Sequence, residues 1–419
     1  MEEPNKMSKS AYNQLENYFN RIGLISDITG ILHWDSAAIM PKGGASSRSE
    51  QLAELRTLNH EILIKPELEN LINEAQEKKD LLDAWQEANL RQMSHQFKKA
   101  TSIPIKLVRA FSKATSKCET VWRNARDEND FKLVNPFLKE VLNLTVQIGQ
   151  AKSEALNQTL YNALLDDYEP GGESENIDIL FSKYTKFLPD FLDKVLCFQK
   201  AKPEIIPLTG PFPIKAQKNL GLALMDLLGF DFNHGRLDIS HHPFCGGTSE
   251  DIRITTRYDE DDFTSSLMGV LHETGHALYE MGLPKKWQKQ PVGRAMGMSI
   301  HESQSLLFEM QVCRSENFLN WAAPIIQKHL GGYGPAWEAK NLYRLYTQVQ
   351  PSLIRVDADE VTYPAHIILR YQLERAMINK DLSLNDLPAA WNDGMRNLLG
   401  ITPPTDREGC MQDIHWYDG

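Results

Sequence analysis

Apolar residues recur at helical spacing along most of the chain. In "SRSEQLAELRTLNHEILI" (47–64), Leu52, Leu55, Leu58 and Ile62 stand three or four positions apart and form one stripe between polar neighbours. "LENLINEAQEKKDLLDAWQEANLRQM" continues the pattern, and "NPFLKEVLNLTVQIGQAKSEAL" and "NIDILFSKYTKFLPDFLDKVLCFQKA" repeat it. The first half therefore predicts long amphipathic helices. Turn-forming residues cluster at 168–176 ("YEPGGESEN"), 207–213 ("PLTGPFP") and 241–251 ("HHPFCGGTSED"), which read as breaks. Between the last two, "NLGLALMDLLGFDF" predicts a further helix closed by Gly229. In "DIRITTRYDEDD" (251–262) the period changes, and Ile252, Ile254, Thr255 and Thr256 make the best strand candidate, just ahead of an acidic helix cap. No fixed-period repeat or flexible linker interrupts the chain, so we expect a single, mostly α domain over 1–419 with a small β-sheet.

One predicted helix also carries chemistry. "MGVLHETGHALYE" (268–280) contains His-Glu-x-x-His. Residues four apart share a helical face, with Cβ atoms about 5–6 Å apart, so the imidazoles of His272 and His276 can converge on one ion. Glu273, turned about 100° from His272, is placed to reach a water on the open side of that ion. Five residues also match by chance, and a third ligand is the test. The His-Glu-x-x-His-x-x-Gly-x-x-His solution is excluded by Tyr279 and Gly282. A carboxylate from a following helix is the alternative, and Glu302 in "MSIHESQSLLFEM" (298–310) is the candidate, 30 residues beyond His272. The intervening "MGLPKKWQKQPVGRAMG" has the Gly and Pro to turn the chain back. From spacing alone, a solvated helix carboxylate explains Glu302 equally well.

Composition narrows the partners. A chain of 419 residues, 42% hydrophobic and 24% charged, is long enough for a large core. A formal charge of -11 argues against nucleic acid or anionic lipid as partners. The N-terminus lacks the apolar segment of a secretory signal and no stretch approaches a membrane span of about 20 apolar residues, so a cytoplasmic location is the default expectation. The five cysteines are scattered and never paired as C-x-x-C, which suggests neither a disulfide framework nor a thiolate metal site.

Taken together, the motifs resemble the metallocarboxypeptidases of the thermostable carboxypeptidase Taq type, relatives of the gluzincin oligopeptidases. The matching blocks are "HPF" (His242–Phe244), "DIRITT" (Asp251–Thr256), "HETGHALYE", "HESQS", "IRVDADEVTYPAH" (354–366, the family's IRxxAD) and "GCMQDIHW" (409–416, its GxxQDxHW). They occur in the family's order, and "ILHWDSAAIMPKGGASSRSEQLAEL" resembles its N-terminal block.

The resemblance implies a mostly α, gluzincin-type peptidase fold with a deep groove and a small sheet beside the zinc helix. His272, His276 and Glu302 are then the metal ligands and Glu273 the general base. It also implies zinc, or cobalt in its place, a cytoplasmic homodimer, and removal of C-terminal residues from peptides with a free C-terminus. Capture of that carboxylate calls for the planar fork of an arginine, for which Arg355 is the choice, oriented by Asp357 or Asp359. A structural ion pair is the plain alternative for Arg355. His242 and His415 are candidate donors to the substrate, and Tyr363 and His366 candidates to reach the groove beside Arg355, with packing roles as their alternatives. Leu306 departs from the family's usual Arg. The family pattern continues past "HWYDG", so the chain reads as C-terminally truncated relative to it. The competing functions are an endo-acting oligopeptidase with the same metal chemistry and an inactive metal- or peptide-binding remnant.

Overall fold

The computed structural model describes residues 10–240 and 242–419. Helices predominate, and none among the described residues is long and apolar enough to cross a membrane. The chain divides into two compact units, one built from residues up to 101 together with 206–346, the other from 102–205 together with 347–419.

In the first unit the stripe read from 47–64 becomes the helix Ala45–Leu63, which packs beside the long helix Ala11–Ala38. Tyr12, Leu15, Phe19 and Ile22 of the long helix meet Leu68 and Ile72 of the helix Pro66–Glu77 and Leu90 and Met93 of Ala84–Ser102 in one buried cluster. Full burial of each such side chain stabilises by about 1.5–3 kcal/mol. A second cluster gathers Leu220 and Leu224 of the helix Ile214–Leu227 with Phe263, Leu267 and Leu271 of Phe263–Gly282. There Phe263 stacks on Trp337, ring centres 5.7 Å apart.

A three-stranded sheet lies against this helix: β1 (Gly235–Ile239), β2 (Phe244–Thr248) and β3 (Asp251–Thr256), in the order β1-β3-β2. β1 runs parallel to β3, with Leu237 opposite Ile254, and β2 runs antiparallel, with Gly247 opposite Ile252. The strand expected at "DIRITT" is present. β2, however, falls in the segment read as a break. Its glycines carry no strand propensity, and the strand exists because β3 offers a ladder to pair with. Gly247 sits at φ +88°, and a Cβ there would lie 2.1 Å from the Asp251 carbonyl oxygen. Buried Trp34 ties the first helix to this sheet, since the guanidinium groups of Arg253 and Arg236 lie 4.3 and 5.3 Å from its ring.

Among its described residues the second unit has helices and connecting turns but no strand. Ile105–Glu128, Phe131–Leu156, Ser174–Lys200, Tyr363–Ile378 and Leu387–Leu399 bury Val134, Leu138, Leu188, Leu369 and Trp391 in a single core.

Candidate metal centre

The helix Phe263–Gly282 opens on Asp262, whose carboxylate accepts from the backbone N–H groups of Thr264 and Ser265 at 2.8 and 3.4 Å. Its apolar face is locked into the core by Phe263, Leu267 and Leu271. That anchoring fixes the rotation of the helix and leaves His272 and His276 on a less buried face, with side chains 20% and 13% exposed. After Gly282 the chain turns through two short 3-10 segments, Lys285–Trp287 and Pro291–Gly293, into the helix Met298–Leu306. This helix brings Glu302 to the same point: its Oε2 lies 3.6 Å from His272 Nε2 and 3.3 Å from His276 Nε2.

The two helices approach closely because Gly275 stands between the histidines. A Cβ at this position would lie 2.7 Å from Ser305 Cα and 2.8 Å from the Gln304 carbonyl oxygen. Ser305, one turn after Glu302 and fully buried, directs its hydroxyl at the Glu302 backbone carbonyl (2.7 Å) and carboxylate (3.2 Å).

Each imidazole is held from behind. His272 Nδ1 is 2.8 Å from Glu309 Oε2, and the other oxygen of Glu309 accepts from Arg314 at 2.5 Å. Arg314 is itself anchored on the Tyr346 carbonyl at 3.0 Å. Glu309 comes from a π-helical segment, Leu307–Cys313, that continues the Glu302 helix. His276 Nδ1 meets the backbone carbonyl of His301 at 3.0 Å and His301 Nδ1 at 2.6 Å, while His301 Nε2 reaches Glu280 at 2.8 Å.

The charges respond to this packing. Burial disfavours a charged His272, yet the carboxylates of Glu302 and Glu309 outweigh it and the imidazole is pushed up to about 10. Burial would raise the Glu302 carboxyl, but His272 and His276 hold it well below the usual carboxylate range. Burial pushes Glu273 up to about 7, with Glu302 adding to the shift. Glu273 is 6% exposed, and its Oε2 is a buried oxygen with no hydrogen-bond partner.

A small divalent ion fits this donor set. Bonds of about 2.0–2.1 Å at the tetrahedral angle would put ligand atoms about 3.4 Å apart, close to the measured 3.3 and 3.6 Å. Among the described residues, His272, His276 and Glu302 are the one group of three His, Cys, Asp or Glu residues close enough to share an ion. With Nδ1 of each histidine engaged behind it, Nε2 is free to face the ion.

The remaining candidates are distributed differently. Arg355, Tyr363, His366 and His415 all lie in the second unit. Arg355 Nη1 donates to the Tyr363 hydroxyl at 3.4 Å, and its Nε is 3.4 Å from Asp413 Oδ2. Arg370 donates to that same oxygen at 2.8 and 3.1 Å. Two guanidinium groups thus share one carboxylate, leaving one positive charge in excess. Burial would raise Asp413, but His415 and Arg370 hold its carboxyl well below the usual range. Asp359, expected to orient Arg355, instead accepts from the backbone of Gln350, Val361 and Thr362, and Asp413 takes the orienting place. His415 is 63% exposed, its Nδ1 3.0 Å from Asp413. His366, expected to reach the groove, is fully buried between Ala365 and Ile368 on its core-facing helix, which leaves its ring no surface for substrate. In the first unit, His242 is exposed at the head of β2, and its carbonyl accepts from the Ser240 and Thr255 hydroxyls.

Sequence reading missed Glu309, Glu280, Arg314 and Asp413 as supporting residues. Two carried a usable signal: Glu309 is seven positions after Glu302, about two helical turns, and Glu280 is four after His276. Asp413 and Arg355 are distant in sequence, and only folding brings them together.

Comparison with known proteins identifies the family. The model of the carboxypeptidase Taq (M32) metallopeptidase family matches residues 14–419. Thermostable carboxypeptidase 1 of Thermus thermophilus is 35% identical over 421 residues, covering 98% of this chain and 82% of the relative. Among solved structures, Trypanosoma cruzi metallocarboxypeptidase 1 superposes with a TM-score of 0.96 at 38% identity, covering 98% of this chain and 82% of that one. The M32 carboxypeptidase from Deinococcus radiodurans R1 gives 0.90 at 32% identity, with coverages of 98% and 82%. The chain belongs to the carboxypeptidase Taq (M32) metallopeptidase family and is a metallocarboxypeptidase, a peptide hydrolase that works with a metal cofactor.

Proposed function

We propose that the chain is a zinc carboxypeptidase in which His272, His276 and Glu302 hold the ion and Glu273 is the general base. The observation that carries this reading is the convergence of two Nε2 atoms and one carboxylate oxygen at 3.3 and 3.6 Å beside a buried carboxylate with an unpartnered oxygen. Cobalt suits the same nitrogen and oxygen donors.

When bound, the ion supplies Lewis acidity and makes a water acidic enough to attack a peptide carbonyl near neutral pH. Glu273 accepts the proton of the attacking water at its carboxylate and returns it to the nitrogen of the departing residue. A base raised by burial is suited to this exchange, because proton transfer is most efficient when its pKa lies near the working pH. Arg355 binds the substrate's terminal carboxylate, supported by the excess positive charge it shares with Arg370 and Asp413. Tyr363 steadies the guanidinium, and the exposed imidazoles of His242 and His415 donate to the peptide.

Two measurements test this. One peptide is offered with a free and with an amidated C-terminus, and the free form is expected to be cleaved far faster; equal rates would sink the carboxylate clamp. Glu273→Gln is expected to keep stoichiometric zinc while losing on the order of 10²–10⁴-fold in kcat, and a variant of near wild-type kcat would remove Glu273 from the role. The same reading carries a cytoplasmic homodimer, the assembly being checked by sedimentation of the purified chain.

A further inference from the structure

The two histidines of the centre are supported in different ways. His272 leans on Glu309, a carboxylate only 12% exposed and paired to Arg314. His276 leans on another imidazole. The separation of 2.6 Å between His276 Nδ1 and His301 Nδ1 leaves room for one hydrogen between them. For His276 to turn a lone pair on Nε2 toward an ion shared with Glu302, that hydrogen must sit on His276 Nδ1, shared between the His301 ring nitrogen and the His301 carbonyl at 3.0 Å. His301 Nδ1 is then an acceptor, so the ring hydrogen of His301 is on Nε2, where Glu280 accepts it at 2.8 Å. Acceptance by Glu280 at His301 Nε2 thus dictates the tautomers of two imidazoles.

We infer that His301 and Glu280 are positioning residues for His276, a relay in series that fixes which of its ring nitrogens faces the metal. This rests on the reading of His276 as a ligand. Ring packing supports the relay: the His276 and His301 centroids are 4.5 Å apart, and Tyr279 meets His301 edge-on at 5.3 Å. The outer end is also accessible. Glu280 and His301 line a cavity of about 410 Å³, together with Cys245, Thr248, Lys289 and Arg294. Glu309 is not part of that lining, so the cavity opens on the support behind His276 and not on the one behind His272.

The test measures zinc Kd by chelator competition on the full chain, with the visible spectrum of the cobalt-loaded protein and the thermal midpoint of the metal-free protein alongside. Glu280→Gln and His301→Gln are each expected to weaken zinc binding by about 10–100-fold, to change the cobalt spectrum, and to leave the metal-free midpoint in place. Because Glu280 acts only through His301, the double variant should bind no more weakly than His301→Gln alone. In Glu280→Ala, formate entering the cavity should restore zinc affinity where chloride does not, a result that packing alone would not produce and that stands even if His301→Gln fails to fold. Zinc Kd within twofold of wild type in the Glu280 variants, or additive losses in the double variant, overturns the relay. His276→Ala separates the two levels. If it abolishes zinc binding while the Glu280 and His301 variants bind normally, the relay alone fails; if it binds like wild type, the ligand assignment fails and the relay with it.

Discussion

Replacing Gly275 by Ala probes the contact on which the centre depends. The added Cβ would lie 2.7 Å from Ser305 Cα, 2.8 Å from the Gln304 carbonyl oxygen and 3.0 Å from Phe308 Cβ. Carbon atoms in good contact are about 3.5–4.0 Å apart, so the helix carrying Glu302 must retreat by roughly 0.7–1 Å. None of the three atoms is the flexible end of a side chain, so the strain cannot be relieved locally. Overpacking of this kind costs about 1–3 kcal/mol, while Ala in place of Gly favours the helix by about 1 kcal/mol. The net loss of stability is therefore small, between zero and about 2 kcal/mol. Zinc binding should suffer more, because the separations of 3.3 and 3.6 Å to Glu302 Oε2 widen as the helix retreats. A loss of about 1.4–2.7 kcal/mol, or 10–100-fold in Kd, is expected. Chelator competition gives the Kd and denaturation of the metal-free protein gives the stability. Gly282→Ala is the control, since a Cβ there meets nothing within 4 Å. Kd within twofold of wild type for Gly275→Ala, or equal losses in both variants, would refute the reasoning.

Three further outcomes are expected. His272, held up to about 10 in the metal-free centre, must lose its proton to bind an ion, so zinc affinity should rise with pH by about tenfold per unit between pH 6 and 8; a flat titration of Kd would contradict this. Asp413→Asn should leave Arg355 and Arg370 without their shared carboxylate and raise KM for free-carboxylate peptides by about tenfold or more, with a smaller change in kcat. It should also cost the second unit about 1–3 kcal/mol, less than a fully enclosed pair because Asp413 is 23% exposed; an unchanged KM would separate Asp413 from the clamp. His366 is buried neutral, with burial pulling it down to about 4. The unfolded chain, with an imidazole near its ordinary value of about 6.5, binds more protons between those two values, so stability rises with pH across this window and should be lost by on the order of 3 kcal/mol as pH is lowered from about 6.5 to about 4. His366→Gln should flatten that dependence in denaturation curves, and an unchanged slope would assign it elsewhere.

Much of the centre could be read along the chain because its logic is local. His272, Glu273 and His276 stand on one helix, whose period sets which of them share a face, and its acidic cap and apolar stripe are written in neighbouring residues. Glu302 was readable only as a candidate, because spacing says that a helix can return but not that Gly275 lets it come within contact. β2 was invisible for the related reason that a glycine-rich segment becomes a strand only when a partner strand pairs with it.

The sequence by itself determined the helical class, the helix that carries His-Glu-x-x-His and, through six ordered motifs, the family. Tertiary structure decided which charges meet. It put Asp413 rather than Asp359 against Arg355, buried His366, and set Glu309 and the His301–Glu280 pair behind the two imidazoles. Period and propensity act over a few residues, whereas hydrogen bonds and ion pairs depend on distances of about 3 Å that only the packed chain establishes.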